Sequence, residues 1–412
     1  MRKIKIGVFG LGRGCDYFDN IINNNGEIVA VCERNEEKLK AALEHLGENT
    51  TGYSDFDSFI KHGMEAVFIA NCFHEHTAFA IKCLEKNINV LCECTSNATM
   101  AEGVALVRAA KKSKGIYMLA ENYPFMIFNR EMKRVYQGGT LGKVLYAEGE
   151  YNHPFNLDDI NSHLSIRPYS KHWRNFLPRT YYVTHSLAPL MYITGSTPKR
   201  VTAMPVFSPF DEHEIIGSPV ADRAAVMTTL NDDGSVFKFT GCAAFGAHGN
   251  SYRICGQNGQ IENIRGTDNK IMLRYNSWQI PEGREETNYY TPEWSENEKE
   301  FVEKAGHGGS DFFVIREFFE CIQKNRKPVF DEYFATTMAS VAILGHRSLL
   351  EKGVPYDVPD FRNEEDCIKW ENDDLTPFYK DGEEADIPCC SVTDYKPPKE
   401  KFEKYLKNTG EI

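Results

Sequence analysis

The sequence predicts two domains of different class. The first is a doubly wound α/β domain, and the second an α+β domain with an open, mostly antiparallel sheet. Three observations carry this prediction. The chain has 412 residues, more than one hydrophobic core usually serves. To about residue 120, short apolar runs alternate with helical patterns, the signature of a parallel sheet covered by helices. From about residue 143 the rhythm changes, and strands follow one another with few helices between them.

In the first domain KIKIGVFG, EIVAVCE, AVFIAN, NVLCE and GIYMLAEN read as strands. NEEKLKAALEHLG and EHTAFAIKCLEKN read as helices, the second with Phe79, Ile81 and Leu84 as an apolar stripe. In the second domain KVLYAEGEY, KRVTAMPVF, RAAVMTTL, VFKFTGCAAF and YRICG read as strands. NDDGS and QNGQ read as hairpin turns, with glycine where a positive φ is needed. Two helices return in SDFFVIREFFECIQKN, with Ser310 expected as its N-cap, and DEYFATTMASVAILGHRSLLEKG. The tail is polar and is expected to lie over the surface, ordered in part by Trp370, Phe378 and Tyr379. The expected division is 1–122, 123–362 and a C-terminal extension 363–412, the later helices being able to pack back on the first domain.

The net charge of −12 argues against nucleic acid or an anionic membrane as partner. No stretch approaches the roughly 20 apolar residues of a membrane span. The opening MRKIKIGVFGLG lacks the apolar core and cleavage site of a signal peptide, so a cytoplasmic location is expected. The 12 cysteines form no Cys-x-x-Cys pair and read as reduced, packed thiols. His74-x-His76 and Cys92-x-Cys94 lack the spacing of a closed zinc site, and no metal is expected.

IGVFGLGRGCD follows the first strand directly. Gly10, Gly12 and Gly14, with Arg13 among them, allow a tight turn whose N–H groups can approach a phosphate at a helix start. The usual third glycine of the dinucleotide fingerprint falls on Cys15. Glu33 closes the second strand nineteen residues after Gly14, placed to accept from a ribose 2′-hydroxyl. A carboxylate there repels a 2′-phosphate, so NAD is expected, with NADP less favoured. These features predict an α/β Rossmann domain.

With AVFIANCFHEHTAFAIKCLEKNINVLCE and the antiparallel second domain, these features resemble the Gfo/Idh/MocA oxidoreductases. Glu93 stands at that family's Glu-Lys-Pro corner, but Cys94 and Thr95 occupy the Lys and Pro positions. In the family's dehydrogenases the lysine assists proton transfer, so this chain is expected to work without a cation beside Glu93. ENYPF, EGEYNHP, HWRNF, YYVTHSLAPLMYITG, GHGGSDFF and GVPYDVPDFR occur in the order of one branch. That branch resembles the NAD-dependent glycosidases of the α-N-acetylgalactosaminidase type and the gut-bacterial (C-)glycoside 3-oxidases. The resemblance implies that Phe73, His74, His76, Glu93, Cys94 and Asn122 line the nicotinamide ribose and ring. It implies that Tyr151, His153, Arg174, Tyr182, Thr184 and His185 face the sugar. Two motifs depart from the glycosidase pattern, one at Val183 and Ser186 and the other at Pro154.

The chemistry of these residues agrees with that reading. A helix start disfavours imidazolium, so His185 suits a proton acceptor. Oxidation of a secondary alcohol needs such a base while hydride leaves. Tyr182 can hold the same hydroxyl or protonate a leaving oxygen. Arg174 beside Trp173 offers forked donors and an apolar ring to a sugar. Tyr151 and His153 alternate on one strand and so share a face. The plainer alternative is that these groups satisfy local backbone at a domain joint. His307 in GHGG reads either as a bare turn or as a distant contribution to the site.

The leading expectation is NAD-dependent oxidation of the carbon-three hydroxyl of a glycoside to a 3-keto-glycoside, with His185 as base. The alternative is an NAD-dependent glycosidase that oxidises, eliminates, adds water and re-reduces. A third is a non-catalytic NAD-binding sensor. A small-molecule glycoside is the expected partner, with homo-oligomerisation through the second-domain sheet.

Overall fold

A computed structural model of the chain describes residues 2–154, 172–209, 220–379, 384–396 and 400. They form two compact units. The first comprises the described residues of Met1–Glu131, Pro292–Ala339 and Asp360–Asp373; the second, those of Met132–Thr291, Ser340–Pro359 and Asp374–Ile412.

The first unit carries six parallel strands: β1 (Ile4–Phe9), β2 (Gly26–Cys32), β3 (Thr51–Tyr53), β4 (Ala66–Ile69), β5 (Asn89–Cys92) and β6 (Tyr117–Leu119). Their order is β3-β2-β1-β4-β5-β6, the dinucleotide-binding order, with its crevice where the direction of winding reverses between β1 and β4. Four residues of β4 are wholly buried, as a central strand covered on both faces requires. The sequence reading lacked β3, whose three residues are too few for a periodic signal. Asn35 caps the helix Glu36–Leu46 by accepting from the Lys38 N–H, and Thr99 with Glu102 forms a capping box on Met100–Lys112. The helix Ser310–Lys324 also belongs to this unit. Ser310 is not its N-cap: Gly309 takes that place at φ +95°, and the Ser310 hydroxyl donates to the His307 carbonyl at 2.9 Å.

The second unit carries nine strands: β7 (Val144–Asn152), β8 (Pro198–Phe207), β9 (Asp222–Asn231), β10 (Val236–Thr240), β11 (Gly249–Gly256), β12 (Gly259–Asn263), β13 (Ile271–Tyr275), β14 (Thr287–Tyr290) and β15 (Tyr356–Asp357). Their order is β14-β13-β12-β11-β7-β10-β9-β8-β15, antiparallel throughout except where β10 joins β7. Gly234 has the positive φ (+83°) expected of the NDDGS turn. Gly259 in QNGQ does not have one; it starts β12, and a Cβ there would strike the Arg274 carbonyl of β13. Gly149 in β7 serves a similar close approach. A Cβ there would clash with the Ser186 carbonyl, so glycine lets the helix Thr184–Thr194 lie directly on the strand. Among the described residues no helix is long and apolar enough to cross a membrane.

Candidate active site

The residues expected on the cofactor side all sit at the carboxyl ends of the parallel strands. Gly10 follows β1 at φ +89°, and an added Cβ would lie 2.5 Å from the Ala70 backbone after β4. Gly12 faces open space, and Gly14 opens a 3-10 turn, Gly14–Tyr17, before the short helix Phe18–Asn23. Glu33 directly follows β2 and binds the loop itself: its carboxylate accepts from the Leu11 N–H at 2.9 Å and the Asn35 N–H at 3.1 Å.

Phe73, His74 and His76 follow β4. Phe73 is buried, His74 half-buried, and His76 opens the helix His76–Glu85. The His76 ring faces two backbone oxygens, Thr95 at 2.9 Å from Nδ1 and Asn71 at 3.4 Å from Nε2. Burial, only partly offset by those oxygens, lowers its pKa.

Glu93 follows β5, and the expectation that no cation stands beside it is corrected here. Arg13 reaches across from the glycine loop, its Nε 3.2 Å from Glu93 Oε1, while Oε2 accepts the Cys94 N–H at 2.9 Å. A side chain 80 residues away in sequence supplies what the neighbouring position does not. The Cys94 thiol instead donates at 3.1 Å to Glu121, a carboxylate with no exposed surface. Asn122 follows β6, and its amide donates to Asp311 Oδ1 at 2.7 Å.

Asp311 joins these parts. Nearly all buried, it accepts from Tyr17 at 3.1 Å and Asn122, pairs with His307 Nδ1 at 2.9 Å, and lies 3.4 Å from Arg13. Burial works against its charge, but His307, Arg13 and Asn122 outweigh it and hold the carboxyl below the usual carboxylate range. Burial likewise opposes the Arg13 charge, and Tyr17, Glu93 and Asp311 reverse that, raising its pKa. Asp311 was quoted in GHGGSDFF but given no role; no local signal links it to Arg13, 298 residues earlier. Tyr17 was missed for the same reason.

Among the buried side-chain oxygens of this unit without a hydrogen-bond partner are Asn71 Oδ1, after β4, and Asn122 Oδ1, after β6. With the open side of Gly12 and the glycine turn, they fit a cofactor that brings its own donors.

The second unit holds the residues expected to face the sugar. Tyr151 lies near the end of β7 and His153 just beyond it, their rings 5.8 Å apart. His185 stands in the first turn of the helix Thr184–Thr194 and Tyr182 just before it. Ring centroids are 4.9 Å apart for Tyr151 and His185, 5.9 Å for Tyr151 and Tyr182, and 5.1 Å for Tyr182 and His185. The backbone around them is fixed. The Tyr252 hydroxyl donates to the His185 carbonyl at 2.6 Å, and the Ser186 hydroxyl to Thr240 O at 2.5 Å. The Cys242 N–H donates to the Tyr182 carbonyl at 3.0 Å. Thr184 Oγ1 is buried with no partner.

Arg174 lies on the separate turn Trp173–Asn175, its guanidinium 4.6 Å from the Trp173 ring centroid. Burial raises the Cys242 thiol to about 11, while the charges of Arg179 and Arg174 pull it the other way. A ring not singled out from sequence, His248, lies 4.8 Å from His153.

Comparison with known proteins gives two matches to family models. Residues 4–121 match the oxidoreductase family with an NAD-binding Rossmann fold, Gfo/Idh/MocA. Residues 247–367 match the C-terminal domain of glycosyl hydrolase 109. The chain thus carries a stretch that matches the NAD-binding domain of the Gfo/Idh/MocA oxidoreductases and, later, one that matches the C-terminal domain of glycosyl hydrolase 109. Over 87% of its length it is 23% identical to "glycosyl hydrolase family 109 protein 1" of Phocaeicola vulgatus, covering 84% of that protein. It is 22% identical to a glycosyl hydrolase family 109 protein of Stenotrophomonas maltophilia, covering 87% of this chain and 89% of that one.

Among solved structures, a levoglucosan dehydrogenase in complex with NADH and levoglucosan aligns with TM-score 0.74 and 19% identity, over 87% of this chain and all of that one. An oxidoreductase from Agrobacterium radiobacter in complex with NAD+, L-tartaric acid and magnesium aligns with TM-score 0.67 and 14% identity, over 86% and 98%. These two likenesses establish the fold.

Proposed function

We propose that this protein is an NAD-dependent oxidoreductase that converts the carbon-three hydroxyl of a glycoside to a ketone. The observation that carries the reading is the packing of Tyr151 and Tyr182 around His185, with the buried, unpartnered Thr184 hydroxyl next to it in sequence. Two phenols, an imidazole and a hydroxyl can together hold a sugar's hydroxyls and take one proton. The names of the relatives and neighbours above, glycosyl hydrolases and a sugar dehydrogenase, support a sugar as substrate.

Bound NAD supplies the acceptor for the hydride that leaves carbon three. The chain's own groups do the rest. His185 accepts the proton of the reacting hydroxyl as the carbonyl forms. Tyr182 holds the same oxygen through its phenol, and Tyr151 fixes the imidazole by its edge-on ring. Arg174, with its guanidinium over Trp173, presents donors to the neighbouring hydroxyls. On the first unit, Gly10, Gly12 and Gly14 make room for the phosphates, and Glu33 both ties the loop and meets the adenosine ribose. Arg13, Glu93, Cys94, Asn122, Phe73, His74 and His76 line the remaining cofactor surface.

A second reading is favoured by the names of the curated relatives: a glycosidase in which the ketone acidifies carbon two, the aglycone leaves by elimination, and water and hydride return. Deuterium placed at carbon three of an aryl glycoside tests the shared first step. Label appearing on NAD, or a rate lowered by the label, is expected. Loss of label to neither NAD nor solvent, with glycoside unchanged, would overturn the reading.

A further inference from the structure

The segment after residue 373 lies beyond both matched regions, which end at 121 and 367. Its described residues belong to the second unit and are tied down at several points. The Phe378 ring, almost wholly buried, meets Tyr181 edge-on with centroids 5.5 Å apart. The Tyr379 ring meets Phe176 at 4.6 Å. Tyr181 immediately precedes Tyr182, and Phe176 closes the turn that carries Arg174. Each of the two rings therefore backs one of the two short turns that present sugar-side residues.

Anchors hold the segment at its other end. His346 Nε2 lies 2.7 Å from the Pro388 carbonyl. Ser391 donates through N–H (2.8 Å) and hydroxyl (2.5 Å) to the buried carboxylate of Asp222. The carbonyl of Asp222 accepts from Arg179 Nε at 3.0 Å, and Arg179 begins the turn that leads to Tyr182. Thr376 and Asp386 close the segment on itself through two hydrogen bonds, at 3.2 and 3.0 Å.

Turns of the 3-10 type have poor internal hydrogen bonds and hold little on their own. We propose that the described residues 374–379 and 384–396 form a positioning strap for the sugar side of the site. Phe378 and Tyr379 act through Tyr181 and Phe176 to fix Tyr182 and Arg174. This rests on the substrate reading above for its consequence, but not for its geometry.

The test uses the full chain with Phe378→Leu, Tyr379→Ala and the milder Tyr379→Phe. Hydrogen exchange is followed at the amides of 173–185 and, as a reference, at those of β9 away from Asp222, residues 227–231. Exchange in 173–185 is expected to rise about tenfold in Phe378→Leu and Tyr379→Ala, while β9 and NAD affinity stay unchanged and Tyr379→Phe behaves as wild type. KM for the glycoside is expected to rise about tenfold, with kcat falling less. Unchanged exchange at 173–185, or a uniform rise across β9, would overturn the strap as a positioning element. If the wild type oxidises no glycoside, the functional reading fails while the exchange result still decides the strap.

Discussion

Arg13 shows how single residues carry this architecture. Its guanidinium reaches Glu93, Asp16 and Asp311 and lies 4.8 Å from the Tyr17 ring centroid. Asp311 is the buried counterpart. Replacing it by Asn leaves Arg13 and His307 short of an acceptor, and a loss of about 1–3 kcal/mol is expected in urea unfolding. No measurable loss would contradict the hub. On the other unit, His185→Ala is expected to lower turnover by about 10²–10⁴-fold while NAD affinity, read by calorimetry, stays within about twofold. Wild-type turnover would remove His185 as the base. Sequence displayed one of these centres and hid the other. His185 sits in a local motif with Tyr182 and at a helix start, both visible in a short window. The Arg13–Asp311 pair is 298 residues apart, and nothing in either neighbourhood announces it.

At the scale of elements, two glycines set the geometry. Gly10 permits β1 to turn against Ala70, and Gly149 permits the helix Thr184–Thr194 to rest on β7. Gly10→Ala is expected to weaken NAD binding about tenfold or more, since the position combines positive φ with a backbone contact. Gly149→Ala is expected to cost about 1–3 kcal/mol and to raise KM, because the helix carrying His185 must move off the strand. Unaltered stability and KM would show that the close approach has slack. Strong local patterns were readable at this scale: five of the parallel strands and the helix His76–Glu85 follow from them. Finer points were not. The buried face of that helix is Thr77, Ala80, Cys83 and Leu84, with Phe79 and Ile81 only half-buried, because packing on the sheet rotated the stripe. Strands such as β14 and β15 are short and polar, so their pairing, not their composition, defines them.

For the molecule as a whole, acid is the stress these groups respond to. Burial holds the His346 imidazole neutral, moving it from 6.5 down to about 4. A histidine with a lowered folded value contributes fully above its unfolded value and loses that contribution as pH falls from 6.5 toward 4. The loss expected is roughly 3 kcal/mol. Asp311, whose carboxyl is held low, adds its own loss at more acid pH. Urea unfolding between pH 7 and 4 should therefore show a falling stability that His346→Gln flattens; an unchanged slope would contradict the assignment. The fold class of both units was legible because alternation of strand and helix is a property of whole stretches. The chemistry of the last step is not encoded that way, since oxidase and glycosidase share their first proton and hydride.

The most direct measurement is mass-spectrometric product analysis after the protein and NAD meet a panel of aryl glycosides. The account predicts an intact glycoside lighter by two hydrogens, formed together with NADH. Glycosides recovered unchanged across the panel, with NAD bound, would contradict it, and free aglycone without net NADH would replace the oxidase with the glycosidase.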